Sequence, residues 1–344
     1  MVSAATSWAS TESPWPRHPF APQAESRIGV LVNRNAGRGK GAAEAITGEL
    51  STLAGIEVRS TASLSEVDGA VRELMTRGVN VLVVAGGDGS LHHALQSLVY
   101  GGRVWPGVVV PLPRGTMNIV AESLGDPLRR TLKSPLEFLQ RLTQRTWGAI
   151  PKKELRVLEV TSLESPRFGF VFGSQLVKHA LEMYESFGGG SVGLARLLFE
   201  TTRGALFQTE LWKKEGWRLT PPTTTIDVDS VHLARYSVAF ASTCELAAFG
   251  GALRALPSPG ASGFPVRVIT ELRTPQLIRL IPTLMRNTQS GTATIREFPH
   301  AQELSLYGAY TLDGEVFAGA PAAPLKVRVG GSIKMIGAER VNAT

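Results

Sequence analysis

From Arg27 onward the apolar positions fall into short runs that alternate with stretches of helical spacing. IGVLV (28–32) is the first run. Behind it, Ala43, Ile46, Leu50 and Leu53 recur at intervals that place them on one face of a helix. IEVRSTAS (56–63) supplies a short second strand. In SEVDGAVRELMTRG (65–78), Val67, Ala70, Val71, Leu74 and Met75 stand at offsets 0, 3, 4, 7 and 8, the stripe of an amphipathic helix. NVLVVA (80–85) and GVVVPL (107–112) are apolar throughout and rich in β-branched residues, as strands covered on both faces are. Strand, loop and helix in repetition predict a parallel α/β sheet, with its loops gathered at the carboxyl ends of the strands.

Beyond Pro151 the rhythm shortens. ELRVLEVTS (154–162), RFGFVFG (167–173), TTTIDVDS (223–230), RYSVAFAS (235–242), FPVRVIT (264–270) and LKVRVGG (325–331) read as short strands separated by turns. Two segments of helical character interrupt them, SQLVKHALEMYESF (174–187) and SVGLARLLFETTRGAL (191–206). The join between the two regimes falls near TQRTWGAIPKK (143–153).

Composition refines this picture. Of 344 residues, 43% are hydrophobic and 19% charged, which suits a globular protein with room for two domains. The most apolar stretches, such as LIRLIPTLM (277–285), are too short to span a bilayer. Lys and Arg outnumber Asp and Glu by 36 to 29, a net charge of +7 that favours nucleotide phosphates or an acidic lipid surface as partners. Basic residues do not cluster with aromatics, which argues against nucleic acid. The single cysteine, Cys244, excludes an internal disulfide framework and suits a reducing cytoplasm; its apolar neighbourhood predicts a buried, inert thiol. Residues 1–26 are rich in Ser, Pro and Ala and lack the order of a secretory signal, so a disordered tail is expected.

Three loops at the predicted carboxyl edge combine glycine with polar residues: NRNAGRGKG (33–41), GGDGS (86–90) and PRGTMN (113–118). Glycines let backbone N–H groups approach an anion, and the following helix presents its positive end. Arg34, Arg38, Lys40 and Arg114 add charge at the same edge. A phosphate-bearing ligand is therefore expected, although neither the G-x-x-x-x-G-K-[ST] loop nor a G-x-G-x-x-G opening is present. Asp88, set among glycines, is the residue that a turn alone does not require. It could hold a divalent cation beside phosphates, or simply close an Asx-turn or cap the helix beginning near Ser90. Asp313-Gly314 reads from pattern alone as a two-residue hairpin turn. His92 and His93 are adjacent and point to different helix faces, so one should pack near the cleft and the other be exposed, with no joint metal site.

Taken in order, VNRNAGRGKG, AGGDGS, PLPRGTMN and YTLDGEVF (310–317) resemble the loops of the diacylglycerol kinase and sphingosine kinase superfamily, in its soluble bacterial lipid kinase branch. The resemblance runs over roughly residues 27–340 and includes VAFASTCELAAFGGALRALPSPGASGFPVRVI (238–269). It implies an N-terminal α/β parallel-sheet nucleotide-binding domain (27–150) and a mainly antiparallel β-rich domain (151–340). The last strands would return to the first domain, and the active site would lie in the cleft between the two. It implies an ATP- and Mg2+-dependent kinase acting on a lipid hydroxyl, with diacylglycerol converted to phosphatidic acid as the first choice. Such an enzyme would be cytoplasmic, would meet its acceptor at a peripheral membrane surface, and could form a homo-oligomer. By matching position, Asn33, Gly37, Arg38, Gly39, Gly86, Gly87, Gly89, Ser90, Arg114, Gly115, Thr116 and Asn118 would line the nucleotide. Asp88 would hold Mg2+, Asp313 would accept the hydroxyl proton, and Glu315 would help position that base or the metal. A second allocation makes Asp88 the base.

The chain also departs from the family pattern. His92-His93 stand where Asn-Glu is common, Asn118-Ile119 where Asn-Asp is usual, and the PSPGASGFPV turn lacks an acidic residue. Two rival functions follow. NAD kinase shares the GGDG loop, but its Asn-Asn-Glu segment is absent here. A non-catalytic nucleotide or lipid sensor would have lost its metal network at His93 and Ile119, against which stands the retention of Asp88 and Asp313-Gly314-Glu315.

Overall fold

The structure, a computed structural model, describes residues 19–35, 42–100, 103–113, 118–125, 135–163, 165–175, 224–245, 247–248, 253–254, 256, 262–270, 295–320 and 323–337. The first half contains strands β1 (Ile28–Asn33), β2 (Ile56–Thr61), β3 (Val81–Gly86) and β6 (Val108–Pro113), with a small ribbon of β4 (Val99–Tyr100) and β5 (Arg103–Val104). Helices α1 (Ala42–Ser51), α2 (Leu64–Thr76), α3 (Asp88–Leu98), α4 (Ile119–Ser123) and α5 (Pro135–Thr143) accompany them. β2, β1, β3 and β6 lie side by side and parallel, with Gly86 opposite Pro113 and Asn33 opposite Thr61 at their carboxyl ends. Every residue of β3 is buried, as its uniformly apolar sequence requires. The stripe on α2 behaves as its spacing predicts: Val67, Val71 and Leu74 are buried, and Ala70 and Met75 pack partly against the same core.

The second half contains β7 (Lys152–Thr161), β8 (Arg167–Gly169), β9 (Val171–Gln175), β10 (Thr224–Val228), β11 (Val231–Tyr236) and β12 (Val238–Ser242). A ribbon of β13 (Ala247–Ala248) and β14 (Leu253–Arg254) follows, then β15 (Phe264–Ile269), β16 (Ile295–Ala301), β17 (Glu303–Leu306), β18 (Tyr310–Leu312), β19 (Glu315–Phe317) and β20 (Leu325–Ile336). These strands do not form a separate sheet alone. β20 pairs parallel with β6 through Lys334 and Met335, and antiparallel with β17 through its first residues. The parallel sheet thus continues through β20 into β17, β10 and β11, with β7 along β20 and β8 beside β7. A six-stranded antiparallel sheet, in the order β16-β15-β12-β9-β18-β19, lies apart from it. One apolar cluster fills the space between the two, drawing Leu158, Val160, Leu304 and Val327 from the large sheet and Phe172, Ala239, Val266 and Leu312 from the smaller.

Two sequence runs expected as single strands are each divided. RFGFVFG pairs with β7 up to Gly169 and with β12 from Val171, so the chain changes sheets at Phe170. RYSVAFAS changes sheets at Ser237 in the same way. The helical segments at 174–187 and 191–206 lie outside the described residues beyond Gln175, as do LIRLIPTLM and the first 18 residues of the tail. Among the described residues, no helix is long and apolar enough to cross a membrane.

Candidate active site

The carboxyl edge of β1, β3 and β6 meets the β18–β19 hairpin at the first turns of α3. β3 runs into α3 through Gly86 and Gly87, Gly87 being the N-cap. A side chain at Gly86 would overlap Ser90 in the turn above, so the sharp exit from β3 requires glycine there. Ser90 in turn ties the first two loops together, its Oγ accepting from Asn33 Nδ2 at 2.8 Å. Asn33 Oδ1 accepts the Asn35 N–H at 2.8 Å, an Asx-turn that starts the loop after β1.

Asp88 opens α3, yet its carboxylate caps a different helix. Oδ2 accepts the Ile119 N–H at 3.0 Å and Oδ1 the Val120 N–H at 3.4 Å, the first donors of α4. Asn118, left-handed at φ 53°, delivers those donors. Burial pushes the Asp88 carboxyl up to about 6, the α4 donors hold it down only in part, and the charge of Asp313 raises it further. A shallow recess of about 10 Å3, space for a single water, lies beside it among Gly86, Gly87, Leu91, Pro113 and Asn118.

Asp313 and Gly314 form the two-residue turn of the β18–β19 hairpin, with φ of 52° and 92°, the left-handed pair of a type I′ turn. The turn reading from sequence is thus correct, but the Asp313 side chain is not solvated. It folds beneath the turn and is 4% exposed. Oδ1 accepts the N–H groups of Phe170 (2.8 Å) and Val171 (2.9 Å), at the point where the chain changes sheets. Oδ2 lies 3.1 Å from His92 Nδ1. Gly169 packs so closely under this carboxylate that an added Cβ would stand 2.6 Å from Oδ2.

His92 and His93 divide as expected, the first buried and the second partly exposed. Each meets a different carboxylate of the hairpin, for His93 Nε2 stands 3.7 Å from Glu315 Oε1. That contact is the main reason the Glu315 carboxyl lies below its ordinary range. Phe317 stacks on Tyr310 and carries Arg167 over its ring at 4.3 Å. Cys244 is buried behind the site as predicted, its thiol pushed up to about 12 by burial.

The structure therefore brings Asn33, Gly86, Gly87, Asp88, Gly89, Ser90, Asn118, Asp313 and Glu315 to one edge. Gly37, Arg38, Gly39, Lys40, Arg114, Gly115 and Thr116 lie outside the described residues. Sequence reasoning missed Gln96, whose amide pairs with both backbone groups of Phe168 and reaches the His92 ring. Its spacing of four from His92 on one helix was the available signal.

Among the described residues no group of three or more His, Cys, Asp and Glu could close on a metal ion by itself. A Mg2+ ion held by one carboxylate, phosphates and water needs no such group. Asp88 fits that donor set, being a mostly buried carboxylate whose pKa burial raises to about 6.

Residues 27–149 match the family model of the diacylglycerol kinase catalytic domain. That segment of the chain is thus similar to the diacylglycerol kinase catalytic domain. A provisionally assigned diacylglycerol kinase from Bacillus anthracis str. Sterne is similar in fold, with a TM-score of 0.63 at 16% identity, over 91% of this chain and 97% of that one. A second structure, described as a diacylglycerol kinase from the same organism, gives 0.58 at 13% identity over the same shares, 91% and 97%. The likeness of fold thus continues well past the catalytic domain match, through the antiparallel strands. A search of curated proteins finds no match. Asn33, Asp88 and Asn118 lie within the matched segment, whereas Asp313 and Glu315 reach it from a hairpin more than 160 residues downstream of its end.

Proposed function

We propose that this protein is an ATP- and Mg2+-dependent lipid kinase that phosphorylates a lipid hydroxyl, diacylglycerol being the first acceptor to test. The observation that carries the reading is the meeting of Asp88, at the glycine turn after β3, with Asp313 and His92 at the start of α3. Phosphoryl transfer asks a protein chiefly for positioning, for charge neutralisation and for a group to take the hydroxyl proton.

The glycine turn and Ser90 hold the nucleotide loops in register, with Asn33 as the cross-tie. Asp88 is the ligand for Mg2+, which when bound neutralises phosphate charge. Asp313 is the base. Three of its lone-pair directions are occupied by Phe170, Val171 and His92, so one direction on Oδ2 is left for an acceptor proton. Glu315, at the rim with His93, orients the approach to that oxygen. The lipid acceptor implies docking at a membrane surface, which the net charge of +7 favours.

One observation favours a second allocation. A carboxyl raised to about 6 is also suited to proton transfer near neutral pH, which would make Asp88 the base. The function itself is tested by following labelled phosphate from ATP, with Mg2+, to a panel of glycerolipids and sphingoid bases in mixed micelles, with NAD as a soluble control. Label on one lipid supports the kinase reading. Label on NAD moves the protein to that rival, and ATP binding without transfer to any acceptor favours a sensor.

A further inference from the structure

His92 is more than nine-tenths buried. Its side chain is 1% exposed and faces Asp313, itself 4% exposed, so the contact between the two is largely shielded from bulk solvent. What the ring does depends on which nitrogen holds its proton, and its surroundings decide that.

Gln96 stands one turn further along α3. The Phe168 N–H donates to Gln96 Oε1 at 2.9 Å, and Gln96 Nε2 donates to the Phe168 carbonyl at 2.5 Å. These two bonds fix the orientation of the amide, oxygen toward the N–H and nitrogen toward the carbonyl. The same Nε2 donates to the His92 carbonyl at 3.1 Å and lies 3.4 Å from His92 Nε2. An amide nitrogen only donates, so a proton on His92 Nε2 would set two donors against each other. The neutral ring therefore carries its proton on Nδ1, where it points at Asp313 Oδ2 from 3.1 Å.

We infer that His92, its tautomer fixed by Gln96, is a positioning residue for Asp313: Nδ1–H occupies one lone pair of Oδ2 and leaves the other aimed at the acceptor hydroxyl. The inference rests on the reading of Asp313 as base. Without the His92 donor, Oδ1 stays anchored to Phe170 and Val171, but among the described residues no other side chain bonds Oδ2 to set its rotation. The role needs a donor at that point in space, not the bulk of an imidazole.

The test compares wild type, His92→Leu, His92→Asn and Asp313→Asn in the micelle assay with labelled ATP and diacylglycerol. Each variant is first checked for a wild-type unfolding transition. Leucine fills the volume without donating, whereas the asparagine amide places a donor close to the position of Nδ1. The expected result is a kcat about 10²-fold lower in His92→Leu, in line with a misplaced reacting group. The KM for ATP should stay within about twofold, and His92→Asn should recover kcat to within about tenfold of wild type, both as that same geometric argument requires. In parallel, 15N spectra of the histidine rings in the intact protein should show His92 as the Nδ1–H tautomer, a readout that needs no activity. Wild-type kcat in His92→Leu, equal losses in both His92 variants, or an Nε2–H tautomer would each overturn the inference. Full transfer by Asp313→Asn would instead overturn the base assignment beneath it, whatever the tautomer.

Discussion

A single methyl group at Gly169 should uncouple activity from folding. Gly169 ends β8, directly under the hairpin turn, and an added Cβ would stand 2.6 Å from both Asp313 Oδ2 and Leu312 Cγ. Ordinary contact begins near 3.4 Å, so something must yield by about 0.8 Å. Leu312 is fully buried in the apolar cluster between the two sheets and has little room to retreat. The carboxylate is the softer partner, and its displacement lengthens the 3.1 Å contact to His92. Overpacking of this kind costs about 1–3 kcal/mol of stability, and a shift of roughly 1 Å in a catalytic group costs on the order of 10²-fold in rate. The assay is kcat at saturating ATP, set beside urea unfolding. Ile226→Val, in the fully buried Ile226 of β10, serves as a control that should lose about 1 kcal/mol with normal turnover. If Gly169→Ala shows the stability loss yet keeps wild-type kcat, the placement of Asp313 has no bearing on the chemistry and the reasoning fails.

Other consequences follow from the same geometry. The Asp88 carboxyl is raised above its unfolded value of 3.8 to about 6, so in the metal-free protein folding becomes less favourable as pH rises between these two values. Mg2+ must displace that proton below about 6. Calorimetry should therefore find Mg2+-dependent ATP binding about tenfold weaker at pH 5 than at pH 7.5, with proton release at the lower pH; equal affinity at both would remove Asp88 as the ligand. Asn33→Ala deletes the 2.8 Å bond to Ser90 and should raise the KM for ATP several-fold while leaving kcat nearly unchanged, as steady-state kinetics would show. Leu82→Ala, in the middle of the fully buried β3, should cost about 2–5 kcal/mol in urea unfolding without altering turnover per folded molecule.

How much of this was legible in the sequence varied along the chain. The parallel strands announce themselves because both faces are covered, so Val81–Gly86 is apolar at every position. The amphipathic stripe of α2 is equally local. The sheet changes at Phe170 and Ser237 are not, since a strand that leaves one sheet for another keeps the same run of β-branched and aromatic residues. β16 is hard to read from sequence because Pro299 interrupts it, which is tolerated where it lies, at the edge of its sheet. Asp313 was readable as a turn and is one; Asp88 was readable as a cap of the helix near Ser90, but it caps α4 instead. What spacing could not supply is the partner of Asp313, because His92 lies 221 residues away. Its burial, rather than any motif, reveals the contact.

The division of labour between the two carboxylates is tested most directly by equilibrium binding of ATP, with and without Mg2+, to wild type, Asp88→Asn and Asp313→Asn, each scored beside lipid phosphorylation. The account predicts that Asp313→Asn binds ATP with the Mg2+ dependence of wild type and transfers nothing, whereas Asp88→Asn loses the Mg2+ dependence itself. Intact Mg2+-dependent binding in Asp88→Asn, with loss of that dependence in Asp313→Asn, would contradict it and exchange the two roles.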